Sequence, residues 1–135
     1  MAEPLVLDPA GLAFRDRGNG VSTVHLVTAA RGATAMLNGI TRIAPGAAVP
    51  EHFHNCEESV IVLAGCAIGH IDGAEFALSR HCTTLIPMGV PHYLANPSAD
   101  EPVYIFWTYA SIDATRTIVA TGKTSRIAEE LGVVD

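Results

Sequence analysis

Four side chains able to ligate a metal, His52, His54, Glu58 and His92, stand at short spacings among glycines and prolines, in PGAAVPEHFHNCEESVIVLAG and in LIPMGVPHYLAN. Three imidazoles and one carboxylate form a complete set of protein ligands for a divalent transition metal. On a β-strand alternate residues share a face, so His52 and His54 point the same way with Cβ atoms roughly 6.5 to 7 Å apart. Both rings can then reach one ion, while Phe53 between them faces the opposite layer. Asn55, Cys56 and Glu57 read as a short turn, which places Glu58 on a neighbouring strand at the head of the apolar run Ser59 to Ala64. Pro87-Met88-Gly89-Val90-Pro91 cannot continue a regular strand, because proline removes a donor and glycine permits turns. That loop can aim His92 back at the other three. Taken without their surroundings, the same residues are ordinary polar side chains at strand ends, and a lone HxH would favour that reading.

The surroundings reverse the balance. Gly46, five residues, His52-Phe53-His54, three residues, Glu58, six residues and Gly65, followed by Pro87-x-Gly89-x-x-His92-x-x-x-Asn96, resemble the two motifs of the cupin family. The resemblance covers roughly residues 34 to 110. It implies an all-β fold, a double-stranded β-helix or jelly-roll barrel of two short antiparallel sheets, in a small single-domain metal-binding cupin. It also maps His52, His54, Glu58 and His92 onto the family's metal ligands. Glu57 is the rival carboxylate, and the family spacing selects Glu58. One position departs from the pattern: the second motif usually begins with a glycine six positions before its proline, and here that place is His81. A residue with a Cβ there suggests a backbone with no need of positive φ. His81 is then a strand-end histidine or, alternatively, a pocket residue.

The whole chain bounds the rest. Its 135 residues fit one domain with a single core, expected as a barrel over about 21–110 with an N-terminal arm over 1–20 and a tail over 111–135. With hydrophobic residues at 49% and charged residues at 16%, disorder is not expected. The net charge is −6 and the eight basic residues are scattered, so no basic patch offers itself to nucleic acid. The opening MAEPLVLDPAGLAF lacks the pattern of a leader, and no stretch reaches the length of a membrane span, so no membrane partner and a cytoplasmic location are expected. Cys56, Cys66 and Cys82 are an odd number without zinc-finger spacing, which agrees with a reducing compartment. Cys56, between two proposed ligands, is either a turn thiol or a competitor for a soft metal.

Strands are expected at Val21 to Thr28, Thr34 to Ala44, Ser59 to Ala64, Cys66 to Ile71, Ala74 to Leu78, Cys82 to Ile86 and Val103 to Tyr109. Asp72-Gly73 signals a tight hairpin. Val60-Ile61-Val62-Leu63 is apolar on both faces, as befits a strand covered outside by another sheet or subunit, and a homodimer is expected. In Val103 to Tyr109 one alternate set lines the interior, and parity does not say which. SRIAEELG reads as one or two helical turns, with Ser125 as N-cap and Gly132 past the end.

The chemistry follows from the ligands. Four protein ligands around an octahedral ion leave two positions open, the mark of a catalytic rather than a structural site. The ion is expected to be Fe(II) first, with Mn(II), Ni(II), Cu(II) or Zn(II) as alternatives. With iron and dioxygen the resemblance implies a dioxygenase acting on a small oxygenated organic substrate. With a redox-inert ion the same centre would polarise a carbonyl for isomerisation, cyclisation or elimination. A non-enzymatic small-molecule-binding cupin is the third reading. Arg42 as an anion anchor, His81 and Tyr104 are the weak candidates for further catalytic residues. His25, His70 and Tyr93 read as core residues before pocket acids, and Asn96 as a turn or supporting residue.

Overall fold

Period-two alternation of apolar residues dictates strands through most of the chain. The structure, a computed structural model described over residues 3–131, contains β1 (Arg15–Gly18), β2 (Val21–Val27), β3 (Leu37–Ile43), β4 (His52–His54), β5 (Glu58–Ala64), β6 (Ala67–Ile71), β7 (Ala74–Leu78), β8 (Thr83–Ile86), β9 (His92–Ala95), β10 (Val103–Tyr109), β11 (Thr115–Ile118) and β12 (Thr124–Arg126). They form two six-stranded antiparallel sheets, ordered β1-β2-β3-β10-β5-β8 and β12-β11-β4-β9-β6-β7. No ladder joins one sheet to the other among the described residues, so the fold is a jelly roll of two facing sheets rather than a barrel closed by hydrogen bonds.

The core fills the space between the sheets. Val103, Ile105, Trp107 and Tyr109 are buried while Tyr104, Phe106 and Thr108 are half-buried, which settles the parity of β10. Gly39 on β3 lies opposite Trp107, and a Cβ there would stand 2.4 Å from the indole and 2.4 Å from the Val24 carbonyl oxygen. Only glycine lets the indole lie flat against this strand. Asp72 and Gly73 both have positive φ, the requirement of the type I′ turn that closes the β6–β7 hairpin. On the outer face of the first sheet Leu63 and Leu85 are exposed, so the chain does not itself cover the outer side of β5.

The segments expected as arm and tail both supply strands. β1 pairs with β2, and β11 and β12 extend the second sheet by pairing β11 with β4. Ser125 is consequently not a helix cap: it sits in β12 opposite Arg116, because Thr115–Ile118 and Thr124–Arg126 satisfy each other's backbone groups as a hairpin. A 3-10 turn over Ile127–Leu131 follows, anchored by the fully buried Ile127, and Gly132 lies outside the described residues.

His81 requires a correction. Its φ is +72°, so this position does need the left-handed backbone that a glycine would supply. The turn at 79–82 imposes it, with Cys82 N donating to Ser79 O (2.9 Å) and His81 N donating to Val62 O (2.7 Å). The side chain is exposed. A left-handed residue with a Cβ costs about 1–2 kcal/mol, offset in part by the greater unfolded-state entropy of glycine. The His81→Gly variant is therefore expected to be up to about 1 kcal/mol more stable in urea denaturation; a clear loss of stability would show that the imidazole makes a compensating contact.

Candidate metal centre

β4 lies between β11 and β9 in the second sheet, and its two histidines face the interior. His52 stands directly opposite His92, the first residue of β9, and His54 opposite Arg116. Glu58 opens β5 and therefore reaches in from the facing sheet rather than from an adjoining strand. All four side chains are buried, and their ligating atoms lie within 4.8 Å of one another. The imidazole centroids are 4.4 to 5.1 Å apart.

Each ring is tethered through Nδ1 to a backbone carbonyl: His52 to Pro50 O (2.6 Å), His54 to Thr115 O (2.8 Å) and His92 to Val90 O (2.9 Å). Carbonyl oxygens only accept, so each Nδ1 carries the proton and each Nε2 of a neutral ring presents a lone pair. His54 Nε2 and His92 Nε2 lie 3.3 and 3.0 Å from the same oxygen of Glu58. His54 Nε2 is buried with no hydrogen-bond partner among the described residues. Three imidazole nitrogens and a carboxylate converging in a buried site could hold a cation, and the donor set fits a divalent transition metal. The turn helps to hold this arrangement. Asn55 Oδ1 accepts from Thr115 N (2.8 Å), fixing the residue whose carbonyl orients His54.

Electrostatics favour the ligating forms. Burial, aided by the charges of Arg116, His92 and His54, pushes the His52 imidazole down to about 2, so it stays neutral. Burial alone would raise the Glu58 carboxyl, but the imidazoles of His54 and His92 outweigh it and hold the group below the usual carboxylate range. Tyr109, raised by burial and by the Glu58 charge, remains a phenol.

Three of the four ligands, His52, Glu58 and His92, line an interior cavity whose walls include Thr41, Leu94, Ile105, Trp107 and Tyr109. Arg17, Arg116 and Glu130 line it too. These three carry no motif, and Arg17 and Arg116 lie in segments that read as arm and tail. The alternation in Ala114-Thr115-Arg116, where the first and third residues are buried, is the signal that could have found Arg116. Glu57 is exposed beside the buried Glu58, which agrees with the family spacing. Cys56 is half-buried in the turn outside the cluster, and burial pushes its thiol up. Arg42 and Tyr104 pair with each other across β3 and β10 on the outer face, away from the cavity. His70 and Tyr93 stack at 4.2 Å on the outer side of the second sheet. Asn96 Nδ2 donates to Ile43 O (3.0 Å) and to Glu101 O (2.8 Å), so it staples a loop rather than touching the site.

Loss of a group that only supports a ligand costs about 10–100-fold in metal affinity, and loss of a ligand should cost at least as much. Glu58→Gln, His52→Ala and His92→Ala are expected to lower metal content by elemental analysis, with Glu57→Gln at full occupancy. Full occupancy in both histidine variants would show that the ligand assignment is wrong.

A cupin domain family model matches residues 39–109, more than half of the chain. The polyketide synthase CurC of Streptomyces cyaneus is 31% identical over 93 residues, which cover 68% of this chain and 60% of that protein. The chain thus spans under two thirds of this curated relative's length. Among solved structures, the polyketide cyclase RemF of Streptomyces resistomycificus superposes with a TM-score of 0.74 at 15% identity over 93% of this chain and 86% of that one. Salicylate 1,2-dioxygenase from Pseudoaminobacter salicylatoxidans, in adducts with gentisate, superposes with a TM-score of 0.63 at 14% identity over 70% of this chain and 26% of that one. At these identities the structures speak for the fold alone. The family model, matched from within β3 to the end of β10 and over all four converging ligands, identifies this chain as a member of the cupin family.

Proposed function

We propose that this chain is a metal-dependent enzyme acting on a small oxygenated organic molecule, and that its reaction is ring closure on a poly-β-carbonyl chain of the polyketide type. The observation that carries this reading is the 31% identity to a polyketide synthase component over 93 residues, joined to a buried three-histidine, one-glutamate cluster at the end of a cavity. His52, His54, Glu58 and His92 would hold the ion, which when bound supplies Lewis-acid polarisation of a carbonyl. The chain's own groups supply the rest. Trp107, Ile105 and Leu94 give the cavity apolar walls of the kind that suit a flat, partly conjugated chain. The guanidiniums of Arg17 and Arg116 favour enolate over ketone at the cavity's cationic side. Ring closure balances without a redox partner: an α-carbon loses a proton, its carbon attacks a carbonyl carbon, the carbonyl π bond breaks, and the resulting alkoxide takes up a proton to give an isomer; where a further α-proton and the new hydroxyl then leave together, the product is lighter by water.

A second reading keeps the same ligands around Fe(II) and makes the chain a dioxygenase, supported by the fold it shares with salicylate 1,2-dioxygenase. Oxygen separates the two. Incubated under argon with a linear poly-β-ketone and Zn(II) or its native metal, the protein should yield a product lighter by water or isomeric with the substrate, and chelation should abolish turnover. Strict dependence on dioxygen, with both atoms incorporated, would replace cyclisation by dioxygenation. Ligand binding without any product under either atmosphere would leave a binding cupin.

A further inference from the structure

Beside the four ligands the cavity holds a second cluster. Arg17 enters from β1 and Arg116 from β11, and both meet the carboxylate of Glu130 on the 3-10 turn. Arg17 Nη2 lies 3.5 Å from Glu130 Oε1, Arg116 Nη1 contacts the same oxygen, and His25 Nε2 lies 3.5 Å from Oε2. Basic groups from three strands thus surround one carboxylate. Arg116 is 8% exposed, and its Nε is buried with no hydrogen-bond partner among the described residues. Arg17, Arg116 and Glu130 of this cluster line the same cavity as His52, Glu58 and His92.

This arrangement is a poor device for stability. A buried guanidinium, Arg116, and a half-buried one, Arg17, are held against one carboxylate, where apolar side chains of similar volume would pack without a desolvation penalty. It is a good receptor for an anion, since arginine presents paired donors that match two oxygens of a carboxylate. Glu130 belongs to neither sheet; it reaches the cavity from the turn after the last strand, held by the buried Ile127 at the turn's start.

We propose that Arg17 and Arg116, with His25 on the far side, form the subsite for an anionic oxygen group of the substrate, a carboxylate in the first instance, and that Glu130 is an internal stand-in which the substrate displaces. This deepens the enzymatic reading above and rests on it only for the word substrate; the anion site itself does not depend on a bound metal. In the resting protein Glu130 neutralises part of the cationic charge and excludes neutral molecules from that end. An anionic ligand takes over both guanidiniums, fills the unsatisfied Arg116 Nε and frees the turn.

Trp107 is the only tryptophan of the chain, lines the cavity and meets His25 edge to face at 5.1 Å, so its emission reports on this cluster. The probe is cyclohexanecarboxylate, transparent at the excitation wavelength, with cyclohexylmethanol as the neutral control. Both are titrated into the protein as isolated and after chelation. Glu130→Gln should bind the carboxylate about tenfold more tightly than the natural protein in both states, the scale of one charge-assisted contact, with little gain for the alcohol. Adding Arg17→Gln to that variant should reverse the gain. Glu130→Ala supplies the same comparison should the glutamine variant fail to fold. Equal carboxylate affinity with and without Glu130, an equal gain for the alcohol, or indifference to Arg17→Gln would each overturn the proposal. The measurement on chelated protein keeps it separate from the metal reading: its failure leaves the metal ligands standing, and loss of metal in the histidine variants leaves this binding intact.

Discussion

The site depends on three hydrogen bonds that hold no ligand themselves. Pro50, Val90 and Thr115 each present a carbonyl oxygen to the Nδ1 of a histidine, and by accepting that proton each fixes the ring's tautomer and turns Nε2 inward. Without these tethers three buried imidazoles at centroid distances of 4.4 to 5.1 Å would be free to rotate. With them the rings are directed inward, where the Glu58 carboxylate answers His54 and His92.

The carbonyls must come from backbone that is not spent on sheet ladders, which explains the local chain path. Pro50 precedes a strand only three residues long, and Val90 lies in the Pro-Gly loop before β9. Thr115 starts a strand delivered from far along the sequence and is held by Asn55. Antiparallel pairing then sets the separations: His52 faces His92 across β4 and β9, and Arg116 stands beside His54 across β4 and β11. Glu58 crosses from the other sheet, so a bound ion would tie the two sheets together at a point where no ladder joins them.

Much of this was legible in the chain because it follows from local rules. Period-two alternation marked Ala74 to Leu78 and Val103 to Tyr109 to the residue, and Asp72-Gly73 could hardly be anything but a tight hairpin. Motif spacing separated Glu58 from Glu57, which differ in burial and not in type. What escaped was non-local. Arg17 and Arg116 look like scattered surface charges until β1 and β11 are seen to join the sheets, and a short strand needs its partner to exist at all. Ser125 mimicked a helix cap because Ser-Arg-Ile-Ala-Glu-Glu-Leu suits a helix in isolation, and tertiary pairing with Arg116 overrode it. His81 misled for the opposite reason: a backbone demand for left-handed φ persisted where the glycine that usually announces it was absent.

Charge binds the two halves of the cavity into one argument. Glu58 and Glu130 set two negative charges against the guanidiniums of Arg17 and Arg116, so the cavity is near balance when the histidines are neutral. A divalent ion among the histidines would tip it strongly positive, and burial magnifies that imbalance because little solvent screens it. The field of Arg116 is already felt at the metal end, where it helps to keep His52 unprotonated. Tyr109 lines the cavity together with Glu58 and both arginines and feels the charge of each. A cavity of this kind stabilises an occupant that brings negative charge with it, the property on which the proposed ring closure through an enolate would draw.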